Sequence, residues 1–404
     1  MTMQVQQPTA GITDAAHPIP ALDLKAQYRA LRPEIEAAIA RVMESQYFIM
    51  GPEVEAFEKS LAECVSARHA IGVASGSDAL LVALMALGVG PGDEVITSPY
   101  TFFATAGAIS RLGAKPVFAD IEHHSFNIDP GQVADYLDGR HPLLNDRSRF
   151  DHDPARVKAI IPVHLYGQCA DMAPLLDSAG RRGVAIVEDA AQAIGSRYQG
   201  RSAGTMSEFG CYSFFPSKNL GAAGDAGALV TDDDRLAEKA RILRAHGSKP
   251  KYFHRVVGVN SRLDALQAAI LGVKLPYLDT WSDARAQVAD RYDALIGASP
   301  ECAAKLQVPW RRPGDRHIFN QYVIRSSIRD LLQAALKQAK IGCEIYYPVP
   351  MHLQECFADL GYRVGDLPQS EAAALQTLAL PMFPEMEPGQ QERVVAVLQR
   401  ALQS

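Results

Sequence analysis

The stretch Ile186-Val187-Glu188-Asp189-Ala190-Ala191-Gln192, followed further on by Ser213-Phe214-Phe215-Pro216-Ser217-Lys218, decides how this chain is read. The apolar run from Val184 to Val187 ends in carboxylates and gives way to small residues. That is the pattern of a buried strand delivering its last residues into a cleft. Asp189 stands just past the buried run. Lys218 lies beyond an aromatic segment, among Ser, Asn and Gly, where a structural lysine has little to do. A carboxylate and a lysine are the minimal protein complement for pyridoxal phosphate. The lysine forms a Schiff base and the acid keeps the pyridine nitrogen protonated. The plainer reading is an Asp that caps a helix and a Lys that is solvated in a glycine-rich loop. The spacing alone leaves both open.

Outward from this stretch, apolar runs at Ala70–Val73, Glu94–Ser98, Pro116–Ala119, Val157–Val163, Phe209–Ser213 and Ala226–Thr231 read as further strands. Amphipathic helices are expected at Leu31–Met43, Glu53–Ser66, Asp78–Ala86 and Asp171–Ala179, the 3.6-residue stripe being clear in each. Strands separated by helices mean a mainly parallel α/β sheet, whose crevice lies at the carboxyl ends of its strands. Ser75–Ser77, His164, Asp189 and Ser213 all fall there. Ala74-Ser75-Gly76-Ser77 joins a strand to a helix N-terminus, which is a natural phosphate site and equally an ordinary capping turn. Leu137–Pro154 is polar and Gly/Pro-marked and reads as a surface insertion. The segment His246–Arg262 is basic, aromatic and glycine-containing, suited to a phosphate-reaching or interface loop. Beyond Leu278, strands at His317–Arg325 and Ile341–Tyr347 flank a helix at Ile328–Ala339, and a closing amphipathic helix spans Gln390–Leu402. The division expected is a loose tail over 1–20, a large domain over 21–275 and a smaller α+β domain over 276–404.

Bulk composition narrows the function. With 404 residues, 48% hydrophobic and 21% charged, the chain can bury a large core. A formal net charge of -6 with interspersed signs offers no nucleic-acid or membrane surface. Six cysteines lack metal-ligand spacing and the start lacks a signal peptide, which fits a reduced, cytoplasmic protein without a metal site.

The ordered blocks carry a resemblance. Leu22-Asp23-Leu24-Lys25, Phe48–Val54, Ala74–Leu80, Pro162-Val163-His164-Leu165-Tyr166-Gly167, Glu188–Gln192, Ser213–Leu220 and Gly258–Asp264 together resemble the DegT/DnrJ/EryC1/StrS sugar aminotransferases, from Leu22 to the C-terminus. The resemblance implies the aspartate-aminotransferase fold (pyridoxal-phosphate fold type I), with a seven-stranded sheet. It also implies roles. Lys218 would hold the cofactor and shuttle the proton, and Asp189 would pair with the ring nitrogen. Gln192 would contact the ring hydroxyl, Phe102 the ring face, and Gly76, Ser77 and Ser213 the phosphate. Asn260 would come from the neighbouring subunit of a homodimer with shared sites. His164 at its strand exit joins the cofactor residues, the other reading being a hydrogen-bonded core histidine.

The sugar end maps more loosely. The family's His-Tyr-Pro segment here reads Tyr346-Tyr347-Pro348, and Tyr347 and His352 match family positions. His254 and Arg255, or His317 and Asn320, are candidates for the pyrophosphate or sugar hydroxyls. His317 equally suits a strand cap. The reaction implied moves an amino group from L-glutamate, released as 2-oxoglutarate, to a nucleotide-linked ketosugar by way of the pyridoxamine form. The blocks at 165–171 and 258–264 look most like members acting at C3 of UDP-linked 3-keto-2-acetamido sugars, with dTDP-linked 3- or 4-ketosugars as the alternative. An amino-acid aminotransferase would need a carboxylate-binding arginine, for which Arg255 and Arg262 stand available. A non-catalytic protein of this fold, or a ketosugar dehydratase, would be expected to have lost Lys218.

Overall fold

The computed structural model describes residues 17–146 and 148–403. Most of the tail expected over 1–20 lies outside the described residues. Its end is not loose: Ile19 is buried, bridges Ile341, and shares one apolar cluster with Tyr292, Leu336 and Leu398.

Helices α1 (Lys25–Ser45) and α2 (Pro52–Val65) precede the sheet, and α3 (Gly76–Leu87) and α4 (Ala104–Arg111) follow its first two strands. The strands are β1 (His69–Val73), β2 (Glu94–Thr97), β3 (Lys115–Phe118), β4 (Val157–Ile161) and β5 (Ala185–Asp189). A two-residue hairpin, β6 (Arg197–Tyr198) and β7 (Arg201–Ser202), separates these from β8 (Phe209–Ser213) and β9 (Gly227–Thr231). Seven strands form one sheet in the order β1-β9-β8-β5-β4-β2-β3. Only β9 runs antiparallel to its neighbours β1 and β8. The connection from Ser213 to Gly227 carries no helix, so it returns the chain as a wide hairpin instead of a crossover.

The strands are continuous apolar runs because both faces of the sheet are covered. Ile96, Ile160 and Ile186 belong to one buried cluster, while Val95, Ala159, Ile161 and Val187 belong to another. Alternate residues of one strand thus feed opposite cores, as a period of two requires. Parity also decides the site, because it sends Glu188 and Asp189 to opposite sides of β5.

Three expectations need correction. Leu137–Pro154 is not a surface excursion: Leu143, Leu144, Phe150 and His152 are buried, and the His152 ring stacks on Phe150 at 5.5 Å. Its apolar residues lack helical or strand periodicity, so composition alone misled. Of His317–Arg325 only Tyr322–Arg325 (β10) is a strand, because Phe319 takes a left-handed φ of 46° and the Phe319 N–H donates to His317 Nδ1. Ile341–Tyr347 makes only isolated bridges; the true partner of β10 is Thr377–Leu380 (β11), antiparallel to it. Helices Arg329–Gln338 and Pro388–Gln403 complete this C-terminal unit. No described helix is long and apolar enough to cross a membrane.

Candidate active site

At the carboxyl end of β5 the two adjacent carboxylates have different fates. Glu188 is fully buried and turned from the cleft. It accepts from the Gly204 N–H (2.7 Å), the Met206 N–H (2.6 Å), Ser207 Oγ (3.0 Å) and His164 Nε2 (2.9 Å). Four donors satisfy the buried carboxylate, and three of them bind the 204–207 loop to the strand. The Ala170 N–H donates to His164 Nδ1 at 3.1 Å, so the His164 proton sits on Nε2, facing Glu188. Both ring nitrogens are occupied and the ring is wholly enclosed. His164 therefore does not reach the cleft: the expectation that it touches the cofactor is corrected to the core-histidine reading.

Asp189 points the other way, into a cavity of about 490 Å³. Thr105 Oγ1 donates to its Oδ2 at 2.8 Å and the Ala191 N–H to its Oδ1 at 3.2 Å. Burial pushes the Asp189 carboxyl up, against the pull of these donors and of the Lys218 charge. Lys218 lines the same cavity, brought there because its own N–H closes a turn onto the Phe215 carbonyl at 2.8 Å. No hydrogen bond to its amine occurs among the described residues. Burial pushes its pKa down to about 8, with Asp189 opposing. Roughly a tenth of such amines are unprotonated at pH 7, against ~0.03% for an ordinary lysine.

The far wall of the cavity is a closely packed turn. Ser75 caps α3 by accepting the Asp78 N–H at 3.1 Å, leaving N–H groups of the first turn free to face an anion. A Cβ on Gly76 would lie 2.6 Å from Ser213 Cβ, and one on Gly227 would lie 2.4 Å from the Ser75 carbonyl carbon. Only glycine lets β8 and β9 approach so closely. Ser77 and Ser213 line the cavity beside them. Gly76→Ala should therefore displace Ser213 and loosen any phosphate held here, raising the cofactor Kd about five- to a hundredfold; equilibrium dialysis checks this.

The remaining wall comes from the C-terminal unit. Gln192 accepts the Tyr166 N–H at 2.8 Å and donates to Tyr347 Oη at 3.0 Å. Tyr100 Oη donates to the Tyr346 carbonyl at 2.6 Å, and Tyr166 Oη reaches the same carbonyl. This pair of hydroxyls fastens the Tyr346-Tyr347 segment over the cavity. Phe102 lies on the cavity wall, 57% exposed.

Known proteins show the same chain plan. Residues 29–399 match the model of the DegT/DnrJ/EryC1/StrS aminotransferase family. The chain belongs to that family. It is 51% identical to a "Pleiotropic regulatory protein" of Geobacillus stearothermophilus, over 93% of this chain and 96% of the relative. It is 42% identical to a Streptomyces venezuelae dTDP-3-amino-3,4,6-trideoxy-alpha-D-glucose transaminase, over 93% and 94%. It is 41% identical to an Acidithiobacillus ferrooxidans UDP-N-acetyl-3-dehydro-alpha-D-glucosamine 3-aminotransferase, over 95% and 98%. The crystal structure of S. venezuelae DesV in complex with a ketimine intermediate superposes with a TM-score of 0.88 at 41% identity, covering 96% of this chain and 99% of that one.

Family members are pyridoxal-phosphate enzymes of fold type I, and this chain is one of them. Its residues fit the cofactor: an amine without a partner, a buried carboxylate across the cavity, and a helix N-terminus kept open by Gly76. Residues expected at the sugar end are placed differently. His352 is buried, its Nε2 3.1 Å from Glu371, and it does not line the cavity. His317 stacks on Phe319 at 3.9 Å, outside the cavity, where burial pushes its pKa down to about 3. Asn260, His254 and Arg255 are exposed on the 246–262 loop and do not line the cavity of their own chain. Residues that sequence reasoning passed over are Thr101, Thr105, Tyr100 and Gln321. Two threonines four residues apart at the entry to a helix were the one available signal.

Proposed function

We propose that this enzyme transfers the amino group of L-glutamate to C3 of a UDP-linked 3-keto-2-acetamido sugar, within the synthesis of cell-surface polysaccharide. The observation that carries the transfer is the pairing of a depressed, unpartnered Lys218 amine with the buried Asp189 carboxylate in one cavity. When bound, pyridoxal phosphate supplies an electron sink that makes the proton next to the reacting nitrogen removable. Lys218 holds the cofactor and, once released, carries that proton between donor and acceptor carbons. Asp189 keeps the ring nitrogen protonated, Gln192 holds the ring hydroxyl and Phe102 covers the ring face. Gly76, Ser77 and Ser213 hold the phosphate, and Tyr347 meets the sugar. The name of the A. ferrooxidans relative supports the UDP-linked substrate. The S. venezuelae relative, at nearly the same identity, favours a second reading, a dTDP-linked 3-ketosugar.

The decisive experiment follows the visible absorbance of the holoenzyme as L-glutamate is added, then as UDP- and dTDP-linked 3-ketosugars are supplied. Loss of the long-wavelength band with glutamate and its return with the UDP-linked sugar are expected. A band that ignores glutamate would reject that donor, and return only with the dTDP-linked sugar would replace the UDP reading.

The exposed loop gives a second prediction. Asn260 is exposed and does not line the Lys218 cavity of its own chain, which suits a residue given to the neighbouring subunit of a homodimer, along with His254 and Arg255. Mixing inactive Lys218→Ala subunits with inactive Asn260→Ala subunits should restore up to roughly a quarter of the activity, because hybrid dimers hold one intact site. No recovery after demonstrated subunit exchange would rule the shared site out.

A further inference from the structure

Two threonines left out of the roles above stand directly behind Asp189. Thr105 lies in the first turn of α4 and Thr101 three residues before the helix begins, each 1% exposed. Thr105 Oγ1 is 2.8 Å from Asp189 Oδ2 and 3.0 Å from Thr101 Oγ1. A hydroxyl has a single proton to give, and the alternative acceptor for Thr105 is the Phe102 carbonyl at 3.3 Å. The carboxylate is nearer and charged, so it takes the proton. Thr101 then donates to Thr105, polarising that hydroxyl toward Asp189.

We propose that Thr105, supported by Thr101, is a positioning residue that keeps Asp189 ionised and correctly turned toward the cofactor ring. The proposal rests on the role given to Asp189 above. Thr105 on Oδ2 and the Ala191 N–H on Oδ1 hold the carboxylate from both sides and fix its plane. The titratable groups that act on Asp189 include Lys218, His164, Cys211 and Tyr347, and Asp225 and Tyr346 line the same cavity. Of these, Lys218 ceases to be a free ammonium once it carries the cofactor, and the His164 ring proton is committed to Glu188. Cys211 and Tyr347 are neutral, because burial pushes both upward. The Thr105 hydroxyl is then the side-chain donor that still favours the charged carboxylate in the loaded enzyme.

The test uses holoenzyme carrying Thr105→Val, which replaces the hydroxyl by a methyl group of like volume, with Thr105→Ser as the conservative control. An Asp189 that protonates more readily leaves the ring nitrogen without its positive charge. The neighbouring lysine–cofactor linkage then loses a like-charge repulsion and keeps its own proton to higher pH. The pH midpoint of the visible absorbance should rise by about one unit in the valine variant. The rate of the glutamate half-reaction should fall about tenfold, with KM for glutamate little changed. The serine variant should retain the wild-type midpoint and rate.

A Thr105→Val holoenzyme with wild-type midpoint and rate overturns the proposal. Should that variant not fold, Thr101→Val carries the test, with a smaller shift in the same direction expected and a wild-type midpoint overturning it. Asp189→Asn separates the two levels. If it leaves the midpoint in place, the cofactor role of Asp189 fails; if it moves the midpoint while Thr105→Val does not, only the role of Thr105 fails.

Discussion

Lys218→Ala is expected to lower turnover by at least ~10⁴-fold, the upper range for loss of a positioned acid–base group, and to erase the long-wavelength absorbance of the loaded protein. Two functions would go together, since in the proposed mechanism the same amine anchors the cofactor and moves the proton. The fold should survive, because the amine makes no hydrogen bond among the described residues and its removal leaves no group unpaired. Stability against pH gives a sharper check on the cofactor-free protein. The folded pKa of Lys218 is about 8 and its ordinary value 10.5. Between these two values the unfolded chain binds more protons than the folded one, so this lysine makes stability rise with pH across that window. Wild type should therefore gain stability relative to Lys218→Ala from pH 8 to 10.5, as measured by denaturant titration at several pH values. Parallel curves for the two proteins would mean the amine is not desolvated. Turnover retained by the variant would remove Lys218 from the chemistry altogether.

Asp189→Asn preserves shape and removes charge. Truncating one partner of a buried charge pair costs about 2–5 kcal/mol, which corresponds to about a thirtyfold to several-thousandfold fall in kcat. Cofactor affinity should weaken as well, because in the proposed role of Asp189 the pyridine nitrogen would lose the group that holds its proton. Single-turnover kinetics with glutamate report the first effect and cofactor dialysis the second. A near-normal rate would show that the ring nitrogen does not need this carboxylate. Since Asp189 is buried and already pushed toward its neutral form, the effect also measures how much charge the site maintains.

Much of the fold was written in local patterns. The apolar runs of β1 to β5, β8 and β9 announced buried strands, because a sheet covered on both faces selects continuous Val, Ile, Leu and Ala. The small turn at Ala74–Ser77 announced a strand-to-helix junction at the cleft, where Gly76 admits the close approach of Ser213. Lys218 was conspicuous as a lone lysine among Ser, Asn and Gly. Packing decided the rest. Whether His164 faced the cleft or the core depended on which side of β5 received Glu188, a matter of strand parity set by the sheet. Thr105 and Asp189, like Gln192 and Tyr347, meet only because distant segments close on one another, and their residue types carry no local mark of that meeting. The direction of β9, the pairing of β11 with β10, and the burial of His352 against Glu371 are likewise products of tertiary closure. Local sequence specifies which segments are strands, turns and cleft ends. Long-range packing chooses which side of each one the chemistry sees, because burying apolar area on both faces of the sheet outweighs the preference of any single polar side chain.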